Sequence, residues 1–257
     1  MNILRSLLGH TPETRRDSFK GALEQALRMG INPATVIDAG AAHGTPELYE
    51  TFPNARYLLI EPLVEFEPSL RALKQRMPQL DYVISAAGPE PGEVVLNVHP
   101  DLYGSSTRLE EEASDVNGVP RTVPVIRLDD LADKVPGPYL LKVDVQGGEL
   151  DVLAGASKIL AQTEFAILEA SLFETYKSAP QFRDVIEFMH QTGFVVYDIA
   201  GSLYRPLDNA MIQVDLAFIP ASSPLRRQHA YATPEQRARQ NKEFQDALRS
   251  IHVDKGA

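Results

Sequence analysis

The run Val36-Ile37-Asp38-Ala39-Gly40-Ala41-Ala42-His43-Gly44-Thr45 leaves the chain little choice of local fold. Apolar residues lead into two glycines, and Thr45-Pro46 then opens a helix, so the stretch reads as strand, tight turn and helix N-terminus. Such a corner brings backbone N–H groups up to a nucleotide-like ligand. Tyr57-Leu58-Leu59-Ile60-Glu61 follows as a second apolar run ending in one carboxylate, 23 residues after Asp38. A carboxylate there can hold both hydroxyls of a ribose, because it accepts on two oxygens. Dinucleotide turns read G-x-G-x-x-G and place their acid only after the second strand. Here Asp38 lies inside the first strand, giving D-x-G-x-x-x-G. It would repel a pyrophosphate and suit a cation such as the sulfonium or ammonium of S-adenosyl-L-methionine. The glycines alone fit an ordinary corner in which they only relieve backbone strain; together, Asp38, Gly40, Gly44 and Glu61 favour an adenosylmethionine site.

Composition narrows the remaining classes. At 257 residues, 44% apolar and 23% charged, the chain has room for one large α/β domain that needs no disulfide or metal to hold its core. It has no cysteine, which excludes disulfides, thiolate zinc sites and cysteine nucleophiles. A net charge of −10 with no basic face argues against nucleic-acid binding. No apolar run approaches the ~20 residues of a membrane span, and Met1 to Leu8 is too short for a signal peptide. The expectation is a cytoplasmic protein.

In chain order, Thr11-Pro12 and Gly30 bracket a helix over 12–29, with Phe19, Ala22, Leu23, Ala26 and Leu27 at helical spacing. Strands are expected at 35–39, 56–61 and 82–86, with helices from Thr45-Pro46 and over 65–77. The small residues Ser85 and Ala86 at the end of the third strand would leave room for adenine; crowding between strands explains them equally well. Residues 93–98 and 121–127 read as an added hairpin, and the polar stretch 99–117, with the acidic triplet from Glu110, as a lid or acceptor-facing loop. Tyr139 to Asp144 is a strand that turns at Gly147-Gly148 into a helix, where Glu149 suits the dipole. Phe165 to Ala170 ends with Glu169, a helix follows from Pro180 to Gly193, and two strands, 194–199 and 212–219, come last. Thr233-Pro234-Glu235-Gln236 is a capping box for a C-terminal helix. The apolar stripe of that helix, Phe244, Ala247, Leu248 and Ile251, packs on the body or serves a homodimer contact. Alternating strands and helices closed by two consecutive strands predict a doubly wound, mostly parallel, seven-stranded sheet. This is the strand count of the Rossmann-like class I methyltransferases, with an inserted hairpin and helices at both ends. The expected division is 1–33 as a helical extension, 34–221 as the domain and 222–257 as a helical tail.

The chain resembles the FkbM family of methyltransferases from about Thr35 to Ile219. The pieces are the turn from Val36 to Gly44, Ile60-Glu61-Pro62, Gly104-Ser105-Ser106, the run from Val125 to Leu131, and above all Leu141-Lys142-Val143-Asp144-Val145-Gln146-Gly147-Gly148-Glu149. The family usually has Glu where Gln146 stands, and Asn near Ala42 or His43. The resemblance implies an adenosylmethionine cofactor held by Asp38, Gly40, Ala41, Ala42, His43, Gly44, Glu61, Pro62, Ser85, Ala86, Asp144 and Gln146. It implies O-methyl transfer to a hydroxyl of a small metabolite, sugar or glycan.

The residues themselves support that chemistry less specifically. Transfer from a sulfonium is an in-line displacement, so holding the reacting atoms collinear supplies much of the catalysis, and a base or metal that takes the hydroxyl proton adds to it. Asp144, at the end of the fourth strand, is the candidate catalytic residue; its structural alternative is to cap the helix that Gly148 begins. Asp144 and Glu169 as Mg²⁺ ligands lack a supporting pattern, and no metal is expected. His43 and His99 read as loop histidines. A non-catalytic binding protein on the same fold, or a nicotinamide-dependent oxidoreductase, are the competing functions.

Overall fold

A computed structural model describes residues 18–110 and 115–253, with side chains as far as residue 249. Its main compact unit is Asp17–Ser223, and residues from Pro224 onward belong to a second unit. Within the main unit a seven-stranded sheet runs in the order β3-β2-β1-β7-β8-β10-β9. Its strands are β1 (Thr35–Ala39), β2 (Arg56–Glu61), β3 (Leu80–Ile84), β7 (Tyr139–Val143), β8 (Thr163–Ser171), β9 (Phe194–Tyr204) and β10 (Met211–Pro220). The first five run parallel; β10 pairs antiparallel with both β8 and β9. This is the doubly wound sheet expected from the sequence. Strand order reverses between β1 and β7, where ligands bind beyond the strand C-termini in such sheets.

Both central strands are buried along their whole length, so their apolar residues run nearly unbroken, as a strand covered on both faces requires. One face carries Ile37, Leu58, Leu141, Leu168 and Phe218 against Val152, Ile159, Val185 and Met189. Those last four come from α4 (Glu149–Ala154), α5 (Ser157–Leu160) and α6 (Phe182–Gln191). The start of α5 is held by Asp129, whose carboxylate accepts from the N–H groups of Lys158 and Ile159 at 2.8 and 3.2 Å, a role that accounts for one acid in the run Val125 to Leu131.

The opposite side is lined by α1 (Phe19–Arg28), α2 (Pro46–Thr51) and α3 (Glu67–Arg76). The first buries Ala22, Leu23 and Ala26 and is capped by Ser18, whose hydroxyl accepts from Gly21 N–H at 3.2 Å; Thr11-Pro12 lies outside the described residues. A separate 3-10 turn, Val64–Phe66, precedes α3, where one helix from Glu65 was expected.

The third strand departs from its expected span of 82–86. Its strand in the main sheet ends at Ile84; the Ser85 N–H still donates to the Glu61 carbonyl at 3.0 Å, while the Ser85 hydroxyl donates to the Pro124 carbonyl at 2.8 Å in a second sheet. There β4 (Ala86–Ala87) pairs parallel with β6 (Val119–Ile126), which also forms the expected hairpin with β5 (Gly92–Val98), in register Val94↔Val123. Leu63, Phe66, Ala86, Leu96 and Val123 make a small apolar cluster beneath it. In the second unit, α7 (Pro234–Val253) begins with the expected capping box: Gln236 N–H donates to the Thr233 hydroxyl and the Gln236 side chain accepts from Thr233 N–H. Phe244 and Ala247 are half-buried, Leu248 is exposed, and the side chain of Ile251 lies outside the described residues.

Candidate active site

Beyond the C-termini of β1, β2 and β7 lies a cleft of about 680 Å³. Gly40, Ala41, Ala42, Gly44, Glu61, Pro62, Ser85, Ala86, Asp144 and Gln146 line it, so most of the residues singled out in the sequence come together there. Asp38 and His43 do not. His43 instead hydrogen-bonds Ser69 at 2.8 Å and packs edge-on against Phe66.

Asp38 is fully buried. It accepts from the Thr45 hydroxyl at 2.8 Å and pairs with the Lys142 ammonium at 3.1 Å, so Thr45 holds Asp38 rather than capping α2. The pair follows from register, since Asp38 and Lys142 are Cα partners on β1 and β7. Burial alone would lower the Lys142 pKa, but Asp38 and Asp144 outweigh it and raise it above the ordinary lysine range. Lys142, not Asp38, reaches the cleft. The negative charge expected from Asp38 is thus met inside the fold, and the carboxylate that faces the cleft at this end is Asp144.

Glu61 is buried at the end of β2, and its two oxygens accept from the N–H groups of Ala42 and Leu63, each at 2.9 Å. Those bonds fix the plane of the carboxylate and still leave lone pairs on both oxygens. Burial pushes its pKa up, against the pull of the two N–H donors. Gly40 lets the strand ends close: its φ is +80°, and a Cβ there would overlap the Asp144 carbonyl oxygen.

Asp144 accepts from the Gln146 amide at 3.0 Å on one oxygen and lies 3.4 Å from the Lys142 ammonium with the other. Among the described residues no backbone N–H of α4 donates to it, and no side chain caps that helix at Gly148. The Glu149 Oε1 accepts from the N–H groups of Val145 and Gly147, in the turn before α4, at 3.2 and 3.1 Å. Glu149 itself lies buried in the first turn of α4, the position expected to suit the dipole.

The same Gln146 amide also donates to both oxygens of Glu169, at 3.3 and 3.2 Å, while its carbonyl accepts from the Tyr176 hydroxyl at 3.2 Å. Gln146 adopts φ +58°, in the left-handed region. Ser106 donates to the Gln146 backbone carbonyl at 2.6 Å, and Arg108 donates to the Gly147 backbone carbonyl at 2.7 Å. The segment Gly104 to Arg108 thus clamps the turn after β7, and Tyr103, Ser105 and Thr107 add to the cleft wall. Within the polar stretch expected to act as a lid or acceptor-facing loop, these residues form wall. The triplet that begins at Glu110 extends outside the described residues. Among the described residues no group of three or more histidines or acids is arranged to hold a metal ion.

One consequence is measurable. Burial pushes the Glu149 carboxyl up to about 6, with Asp144 adding and the N–H donors opposing. A carboxyl raised above its unfolded value contributes stability that is complete below about pH 4.5 and is lost as pH rises through 6. At pH 7 the ionised form costs roughly 2 kcal/mol. Glu149→Gln keeps the accepting oxygen, so urea unfolding should find the variant more stable by about that amount at pH 7.5 and equal to the parent at pH 4. An equal gain at both pH values would show that ionisation is not the cause.

The sequence matches the Methyltransferase FkbM domain over residues 38–196, more than half of the chain. The chain belongs to the FkbM methyltransferase family. A curated relative, Methyltransferase 1 of Beauveria bassiana (strain ARSEF 2860), is 26% identical over 187 residues, covering 63% of this chain and 72% of that protein. A crystal structure of a methyltransferase FkbM from Methylobacillus flagellatus KT is similar at 16% identity and a TM-score of 0.45. The alignment covers 71% of this chain but 43% of that one, so this chain spans less than half the length of the Methylobacillus protein. Magnesium protoporphyrin IX methyltransferase from Synechocystis PCC 6803, solved with bound SAM, is similar at 11% identity and a TM-score of 0.45, over 79% of this chain and 77% of that one. Among the described residues no helix of this family member is long and apolar enough to cross a membrane.

Proposed function

We propose that the chain is an S-adenosylmethionine-dependent O-methyltransferase, with residues 34–221 as its catalytic domain, 1–33 an extension that lends Phe19 to the cleft, and 222–257 a tail. The observation that carries the reading is a single cleft with the fixed Glu61 carboxylate on one side and Asp144 on the other. The residues fit the cofactor by charge. Among the described residues seven carboxylates and one lysine line the cleft, and no arginine does, a setting that favours a cation and opposes the pyrophosphate of a dinucleotide. When bound, adenosylmethionine supplies a methyl group on an electrophilic sulfonium.

Glu61 accepts the two ribose hydroxyls on the lone pairs that Ala42 and Leu63 leave free. Ser85 and Ala86 receive the adenine, with Leu63, Phe66 and Leu96 as its apolar wall. The turn Gly40-Ala41-Ala42 follows the amino-acid end. Asp144 would receive the acceptor hydroxyl and take its proton as that oxygen gains the methyl group, with the thioether as the leaving group. The products are a methyl ether, a thioether and one proton. Gln146, fixed by Tyr176 and Glu169, is a positioning residue for Asp144.

The test is methyl transfer from labelled adenosylmethionine to a panel of hydroxylated metabolites, sugars and glycosides, with and without EDTA. Label in an alkali-stable ether, undiminished by EDTA, is the expected result. Label on nitrogen or carbon would reject the O-directed part, and activity restored to the EDTA sample only by Mg²⁺ would give Asp144 and Glu169 a different role.

A further inference from the structure

Asp215 is the one residue of β10 that lines the cleft. Its cross-strand partners are Glu169 on β8 and Gly201 on β9. The charged groups that act on it are Lys142 of β7, Asp144 just past the end of that strand, and its cross-strand partner Glu169. Among the described residues no N–H or O–H group donates to its carboxylate. Half-buried, this carboxylate opens to the cleft beside a second one, and the pair favours positive charge there. Among the described residues of the lining the one cation is Lys142, and that ammonium is already shared between Asp38 and Asp144.

Gly201 leaves room for this placement. It lies where the β9–β10 register shifts, between Asp215 and Leu216, a place where glycine in a strand is common. A Cβ at this position would overlap the Asp215 carboxylate. The glycine supplies room for that side chain.

We propose that Asp215 is the counter-ion of a protonated amine on the methyl acceptor, and that the acceptor is a cationic amino alcohol with its ammonium on Asp215 and its hydroxyl on Asp144. The inference rests on the methyltransferase reading above and names its substrate class. A neutral hydroxyl would satisfy one lone pair but bring no charge to Asp215; an anionic acceptor would add to the repulsion between the carboxylates. A protonated amine has no lone pair to attack with, so the hydroxyl is the nucleophile.

The experiment uses the full chain and three amino alcohols of rising size, ethanolamine, glucosamine and kanamycin, each beside its N-acetylated form. Methylation is followed with labelled adenosylmethionine in the parent and in Asp215→Asn. At least one amine should be O-methylated with kcat/KM ten-fold or more above its acetylated partner. Asp215→Asn should remove that preference through KM, with adenosylhomocysteine binding unchanged. Acetylated forms used equally well, a preference that survives in Asp215→Asn, label on nitrogen, or no methylation of any amine by a protein that binds adenosylhomocysteine would each overturn the assignment. Failure to bind adenosylhomocysteine at all would instead overturn the methyltransferase reading, and this inference with it.

Discussion

Lys142→Met should destabilise the protein by about 3–5 kcal/mol, the usual cost of removing one partner from a buried ion pair. Methionine fills nearly the same volume, so packing is not the main loss. Asp38 is the reason: it is fully buried, and without the ammonium 3.1 Å away its charge keeps only the Thr45 hydroxyl. The double variant Asp38→Asn/Lys142→Met removes both charges and should recover more than half of that loss. Urea unfolding at pH 7 decides it. A single variant within about 1 kcal/mol of the parent would mean that Asp38 takes up a proton or water in place of Lys142, and that the pair does not anchor β1 to β7.

Asp144→Asn should lower turnover about 10²-fold or more, the scale of a positioned acid–base group, while adenosylhomocysteine affinity stays within about two-fold. The sequence left a rival role for Asp144 as a helix cap, in which asparagine would be silent because it caps equally well. In the structure no side chain caps α4, and the Val145 and Gly147 N–H groups of the turn before it go to Glu149. Asp144 instead faces the cleft, between Lys142 and Gln146. Turnover measured on any acceptor that the parent methylates separates the two roles. Full activity in Asp144→Asn would remove this carboxylate from the chemistry.

The strand-turn-helix from Val36 to Thr45 and the acid ending β2 were legible because their signals are local: an apolar run, two glycines, a proline at the first helical position and a carboxylate at a strand end. The hairpin of β5 and β6 was legible from alternation for the same reason. The partners of the charged residues were not. Asp38 looked like a cation's neighbour because nothing in its own strand shows that register brings Lys142 beside it. A signal was present in Leu140-Leu141-Lys142-Val143, where one lysine inside a wholly apolar strand must find an acid when both faces are covered. The network of Gln146, Glu169 and Tyr176 joins three segments, and Asp215 reaches the cleft from the antiparallel end of the sheet. Neither could be read from spacing. At Ser85 the chain passes to a second sheet, where its hydroxyl reaches Pro124 across 39 residues and Ala86–Ala87 pair with β6, contacts invisible in a run of small residues.

The central claim is that the cleft holds adenosylmethionine by the Glu61 carboxylate. Calorimetric titration of the parent and of Glu61→Ala with adenosylhomocysteine, and of the parent with NAD, tests it most directly. One adenosylhomocysteine should bind per chain and NAD should not. In the variant, confirmed as folded by circular dichroism, affinity should fall by roughly 1–3 kcal/mol, the cost of leaving buried hydroxyl partners unpaired. Binding of NAD without adenosylhomocysteine, or an unchanged dissociation constant in a folded Glu61→Ala, would contradict it.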